Sequence, residues 1–170
     1  MRAGHRLPPG VRAVVGEGLA VVVGDVRGDA VSHLDVLCEL VRTGPVLPLR
    51  FGTVAPDDDA VRAEVLRAGL APQLDRLDGL VEVRVQLEFD ERPRARGTAL
   101  LAEVGIDRVE LEPTEDGTQN WAVLVAFDEL STLEGAIGGL AGVTAHLLGP
   151  LPAYSFLDEP QPEPLSRWGF

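Results

Sequence analysis

Residues 80–90, LVEVRVQLEFD, alternate without a break between apolar and polar side chains. Val81, Val83, Val85, Leu87 and Phe89 fall on one side of an extended chain, and Glu82, Arg84, Gln86, Glu88 and Asp90 on the other. Side chains alternate across a strand, so the pattern predicts one face in a core and one in water, as in an antiparallel sheet covered on one side by helices. The surrounding segments read as strands and helices in mixed order, which makes the chain α+β.

Upstream, Gly79 closes a helical stretch whose apolar face is Val61, Val65, Leu66, Leu70, Leu74 and Leu77, with Pro72 placed to divide it. Asp57, Asp58 and Asp59 stand where a helix start wants acids, so capping explains them better than a metal site. Before them lies VLPLRFGTV, residues 46–54, whose leucines, valines and phenylalanine predict a buried strand. Arg50 interrupts it. A buried guanidinium must be paired or reach water. Asp57, Asp58, Asp59 and Glu82 are candidate partners, and an anion-gripping arginine is the alternative. Gly44-Pro45 ends a helix that Asp29 can cap, running from Ala30 to about Arg42 with Val31, Leu34, Cys38 and Val41 on one face. VRAVV and LAVVV, parted by Gly16-Glu17-Gly18, predict two strands, the second buried on both faces.

Downstream, ERPRARG is a polar connector and residues 97–104 suit a short helix. Residues 109–112 suit a short strand, TEDGT a turn, and WAVLVAF (121–127) a central strand. Ser131 and Glu134 have capping-box spacing ahead of a helix carried by Leu130, Leu133, Ile137 and Leu140. A last strand covers about 143–148, and the proline-rich end reads as an extended tail. The organisation expected is an N-terminal domain over 1–90, a C-terminal domain over 91–157 and a tail over 158–170.

The chemistry is sparse. With 170 residues, 45% of them hydrophobic, the chain can bury a core. Its formal net charge of −12 opposes nucleic acid and anionic membrane surfaces. Apolar runs such as Leu19 to Val23 fall far short of the roughly 18 residues a membrane helix needs, and no apolar signal segment follows the N-terminus. Cys38 is the sole cysteine, which fits a reducing compartment and a small core residue. Lysine is absent, as expected of a GC-rich genome, so there is none for Schiff-base or phosphate-loop work. His5, His33 and His146 are dispersed, GEGLAV precedes a strand rather than a helix, and no nucleophile elbow is present. No cofactor is called for.

Two segments resemble the gas vesicle protein family GvpF/GvpL. VLPLRFGTV, followed by an acidic turn, a leucine-rich helix and LDGLVEVRVQ (77–86), is similar to that family's LP-[VL]-RFG-T strand, helix and G-x-VE-x-x-V strand. GPLPAYSF (149–156) is similar to its near-terminal GPWPPYSF, with Leu151 and Ala153 in place of Trp and Pro. GTALL (97–101) and NWAVLVAF (120–127) fall in order between them. The family's first, tyrosine-bearing strand is missing and the helix after GTALL is reduced, as in a shortened member or paralogue.

The resemblance implies a partial ferredoxin-like N-terminal domain without its first strand, and a small C-terminal α+β domain. It implies no enzyme, but a cytoplasmic accessory or minor structural protein of the gas vesicle. Such a protein binds the shell protein GvpA, and other accessory proteins, to nucleate or chaperone assembly. An open sheet edge would favour self-association. The motif residues that would meet a partner are Arg50, Phe51, Gly52, Pro150, Pro152, Tyr154 and Phe156. Two other readings stay open: a ferredoxin-like small-molecule-binding regulatory module with Arg50 on an anion, and a cofactor-free enzyme with a polar pocket around His33 or His146.

Overall fold

Arg12–Gly16 (β1) and Leu19–Val23 (β2) form an antiparallel hairpin, with Arg12 opposite Val23 and Gly16 opposite Leu19. Glu17 and Gly18 turn it, both at positive φ (48° and 80°), the geometry of a two-residue loop whose twist matches the strands. The computed structural model describes residues 1–4, 6–24, 28–89, 99, 101–103, 105–114 and 118–157. The expected ERPRARG connector and the 158–170 tail lie outside the described residues, as do most of TEDGT and half of the 97–104 helix, of which residues 99 and 101–103 are helical.

Two units result, one of residues Met1–Asp78 with the segment from Pro152, the other Gly79–Leu151. In the first, the hairpin is joined by α1 (Ala30–Val41), α2 (Asp58–Ala68) and α3 (Ala71–Arg76). Asp29 caps α1 by accepting from the Ser32 amide, and Asp57 caps α2 by accepting from Ala60. Gly69, left-handed at φ 59°, ends α2, and Pro72 sits in the first turn of α3, so the proline divides the stretch as expected. Met1, Ala20, Leu37, Leu40 and Val46 make one cluster, and Leu19, Val65 and Leu74 another.

Three expectations are corrected here. Val31 and Leu34, placed on the buried face of α1, are exposed; the buried residues are Leu37, Leu40 and Val41. Apolar residues cover more than half of this helix's circumference, so more than one stripe was available; packing keeps Val41 of the expected face and takes Leu37 and Leu40 with it. Residues 46–54 are not a strand: Val46 to Leu49 carry no regular secondary structure and join no ladder among the described residues. Pro45 and Pro48 have no amide to donate, which disfavours a ladder position. β2, expected to be buried on both faces, buries only Leu19 and Ala20 fully.

The second unit is one antiparallel sheet in the order β4-β5-β3-β6, made of β3 (Leu80–Phe89), β4 (Asp107–Leu111), β5 (Gln119–Ala126) and β6 (Val143–Leu151). A ferredoxin-like layer over 1–90 would pair β3 with the hairpin; β3 instead lies between β5 and β6. Val81, Val83, Val85 and Leu87 are buried as their alternation demands, and Gln86 and Glu88 face water. Glu82 does not: it is wholly buried and pairs with Arg84 at 2.5 Å, beside the irregularity in the β3–β6 register. A 3₁₀ turn, Phe127–Glu129, leads directly into α4 (Leu130–Gly138), so Ser131 already lies inside the helix and the expected capping box does not form. Leu133 and Ile137 are the buried face of α4.

Candidate functional site

The chain leaves Leu49 and reverses at Arg50–Thr53, where the Thr53 amide and hydroxyl both donate to the Arg50 carbonyl, at 3.1 and 2.7 Å. Gly52 takes φ +85° at the third position, as a type II turn requires, with no side chain to resist it. The turn therefore presents Arg50 and Phe51 outward. Phe51 is 51% exposed and leans on α1 through a tilted ring contact with His33, centroids 5.5 Å apart. Val31, Leu34 and Val54 are exposed on the same unit.

The expected acid for Arg50 is absent among the described residues. Asp57 is committed to the Ala60 amide, and Asp58 takes both amino groups of Arg12 at 2.8 and 2.9 Å. Asp59 pairs with Arg62 at 2.7 Å and Glu82 with Arg84. The Arg12 guanidinium holds the Asp58 carboxyl below the usual carboxylate range, chiefly by its hydrogen bonds. Arg50 is left as an exposed cation in a chain of net charge −12.

The second motif closes β6 and re-enters the first unit. The Gly149–Pro150 peptide is cis, Pro150 is half-buried, and Pro152 and Ala153 are buried. A 3₁₀ turn, Tyr154–Phe156, follows, with Phe156 buried and Tyr154 39% exposed. Arg76, in the last turn of α3, donates to the Phe156 carbonyl at 2.7 Å and ties the turn down. The two motifs are thus anchored on different helices, the first on α1 and the second on α3. Pro152 and Phe156 serve packing, while Arg50, Phe51 and Tyr154 offer themselves to solvent.

Two concavities touch the two histidines around which the enzyme reading wanted a polar pocket. One, of about 90 Å³, is lined by aliphatic side chains of β2, α1 and residues 46–49, and by His33, whose buried Nε2 has no partner among the described residues. The other, of about 400 Å³, lies on the sheet at Arg84, Gln86, Asn120 and His146. Arg84 there is engaged by Glu82, and Asn120 donates to the Glu112 carbonyl at 3.0 Å. Among the described residues no group of His, Cys, Asp or Glu could hold a metal ion. Burial pushes the Cys38 thiol up, so it is poorly suited to act as a nucleophile. No helix among them is long and apolar enough to cross a membrane.

A family model described as gas vesicle synthesis protein GvpL/GvpF matches residues 4–111. Gas vesicle protein F of a Streptomyces strain is 42% identical over 94 residues, 49% of this chain and 39% of the relative, so the match spans about two fifths of that protein. The crystal structure of GvpF from Anabaena sp. PCC7120 superposes with a TM-score of 0.69 at 17% identity, covering 86% of this chain and 84% of that one. GvpF from Microcystis aeruginosa gives 0.66 at 16%, covering 86% and 88%. At those identities the two structures establish a shared mixed helix-and-sheet fold.

Proposed function

Because the chain belongs to the gas vesicle GvpL/GvpF family, we propose that it is an accessory or minor structural protein of gas vesicle formation, one that binds the shell protein GvpA and helps nucleate or chaperone its assembly. The carrying observation is the family match over residues 4–111, which takes in the whole RFG turn. The physical setting supports it. A shell subunit has apolar surface to hide before it polymerises, and an acidic carrier of net charge −12 would keep the pair soluble. Phe51, Val31, Leu34 and Val54 supply exposed apolar surface, and Arg50 an exposed charge with no ion pair among the described residues. Pro150 and Pro152 shape the second motif, and Phe156 seats it so that Tyr154 stays exposed. The working place of such a protein is the cytoplasm, at the growing vesicle.

The test is co-expression of the tagged chain with an untagged GvpA-type protein. Co-elution is expected at low and at moderate salt. Its absence at both, with the chain itself folded, would remove shell-protein binding from the reading.

A further inference from the structure

The sheet of the second unit ends on one side at β4, whose inner edge pairs with β5, from Asp107 opposite Leu124 to Leu111 opposite Asn120. No strand among the described residues pairs with its outer edge. Asp107, Arg108, Val109 and Glu110 are exposed, and Leu111 is half-buried. Residues directly opposite one another share a face, so Val109 and Leu111 stand with Ala122 and Asn120. Arg108 and Glu110 stand together on the other face, and neither has an ion pair among the described residues.

Charges on an edge strand ordinarily keep other strands away. That defence depends on which charge meets which. When a strand pairs with its own copy about a two-fold axis normal to the sheet, side-chain alternation requires that one residue face itself. A centre at Asp107 or Glu110 sets two carboxylates opposite each other, and a centre at Arg108 two guanidiniums. A centre at Leu111 sets Glu110 against Glu112. Only Val109 brings no like charges together: Arg108 of each copy then faces Glu110 of the other, and Asp107 faces Leu111. Val109 meets its own counterpart, with Leu111 diagonal to it, so an apolar strip crosses the junction on one face and two ion pairs cross it on the other.

We propose that β4 is a self-recognition edge. A second copy of this chain pairs with it in antiparallel register centred on Val109 and joins two four-stranded sheets into one. The charge order of Asp-Arg-Val-Glu-Leu selects this occupant, because the cation and the carboxylate flanking Val109 complement each other when the strand meets itself reversed. The opposite edge, β6, has no Asp, Glu, Arg or Lys from Val143 to Leu151, and so no charge to set a register. Exposed cross-strand ion pairs are individually weak, and two chains of net charge −12 repel, so the complex is a reversible dimer. The inference goes beyond the family reading and does not rest on shell-protein capture.

The test is sedimentation velocity of the full chain over concentrations on the order of 10 μM to 1 mM, at about 0.15 M salt. A monomer–dimer equilibrium is expected in that range. Arg108→Glu and Glu110→Arg each set like charges opposite one another twice, and each should weaken the dimer at least about tenfold. Mixed in equal amounts, the two single variants should dimerise again, because every facing pair then joins a carboxylate to a guanidinium. The double variant Arg108→Glu/Glu110→Arg should dimerise by itself for the same reason. Circular dichroism and Tm check that each variant keeps the parent's fold; if one single variant does not, the other is compared with the parent and the double variant. The proposal is overturned by a parent that stays monomeric throughout, by a dimer indifferent to the single variants, or by a mixture of the two that stays monomeric. Assemblies that grow beyond the dimer would also overturn it, since a head-to-tail contact and not a two-fold one would produce them.

Discussion

Arg50 shows what exposure does to the meaning of a residue. A buried arginine would have made its removal costly; this one stands on a turn in water, with nearby acids bound to other partners. Arg50→Ala should therefore shift stability by no more than ~0.5 kcal/mol in urea melts, while reducing capture of the shell protein in the co-expression assay. A large loss of stability would return Arg50 to a structural role. Met1 is the opposite case, a charge-bearing group held out of water. Burial, aided by the neighbouring Arg2, lowers its amino pKa from 8.0 to about 6. Between those values the unfolded chain binds the proton and the folded chain does not, so stability rises with pH. The contribution is full above pH 8 and is lost as pH falls through 6, with an amplitude on the order of 2 kcal/mol. Urea melts at the two ends should show it, and N-terminal acetylation should flatten it.

Elements reveal why periodicity reads some faces and misreads others. In α1 the sequence supports two stripes, and the buried one contains Leu40, 1% exposed, while Val31 is 70% exposed. Leu40→Ala should cost ~2–5 kcal/mol, and Val31→Ala close to nothing, as measured by denaturant melts of the two variants. Equal effects would mean that the helix face is assigned wrongly. Strand β3 was legible because strict alternation leaves one apolar face, and its burial follows that pattern from Val81 to Leu87. Glu82 was not, since alternation reports the side a residue lies on but not what covers that side. Arg84→Met, which takes away a cation paired with Glu82, should destabilise the chain by ~1–3 kcal/mol, and adding Glu82→Leu should recover part of the loss. Residues 46–54 have the composition of a strand. A strand needs a neighbour as well as a composition, and none of the described segments supplies one.

At the scale of the whole molecule, the α+β class and the family were legible from two short motifs, but the site was not. Motif residues fix a turn or pack a core as readily as they meet a partner, and in the structure Pro152 and Phe156 are buried, whereas Phe51 and Tyr154 are exposed. The resulting surface mixes exposed aliphatic and aromatic groups with the Arg50 cation, which has no ion pair among the described residues, on a chain of net charge −12. Salt distinguishes these contributions, since screening shortens electrostatic reach from about 10 Å at 0.1 M to about 3 Å at 1 M and leaves apolar contact intact. Capture of the shell protein by the parent chain should persist across that range. The deficit of Arg50→Ala should be largest at the low end and shrink towards the high end, because only the charged part of the contact is screened. Capture that disappears by 1 M salt would show that ion pairs hold the partner, and the apolar groups around Phe51 would lose their assigned role.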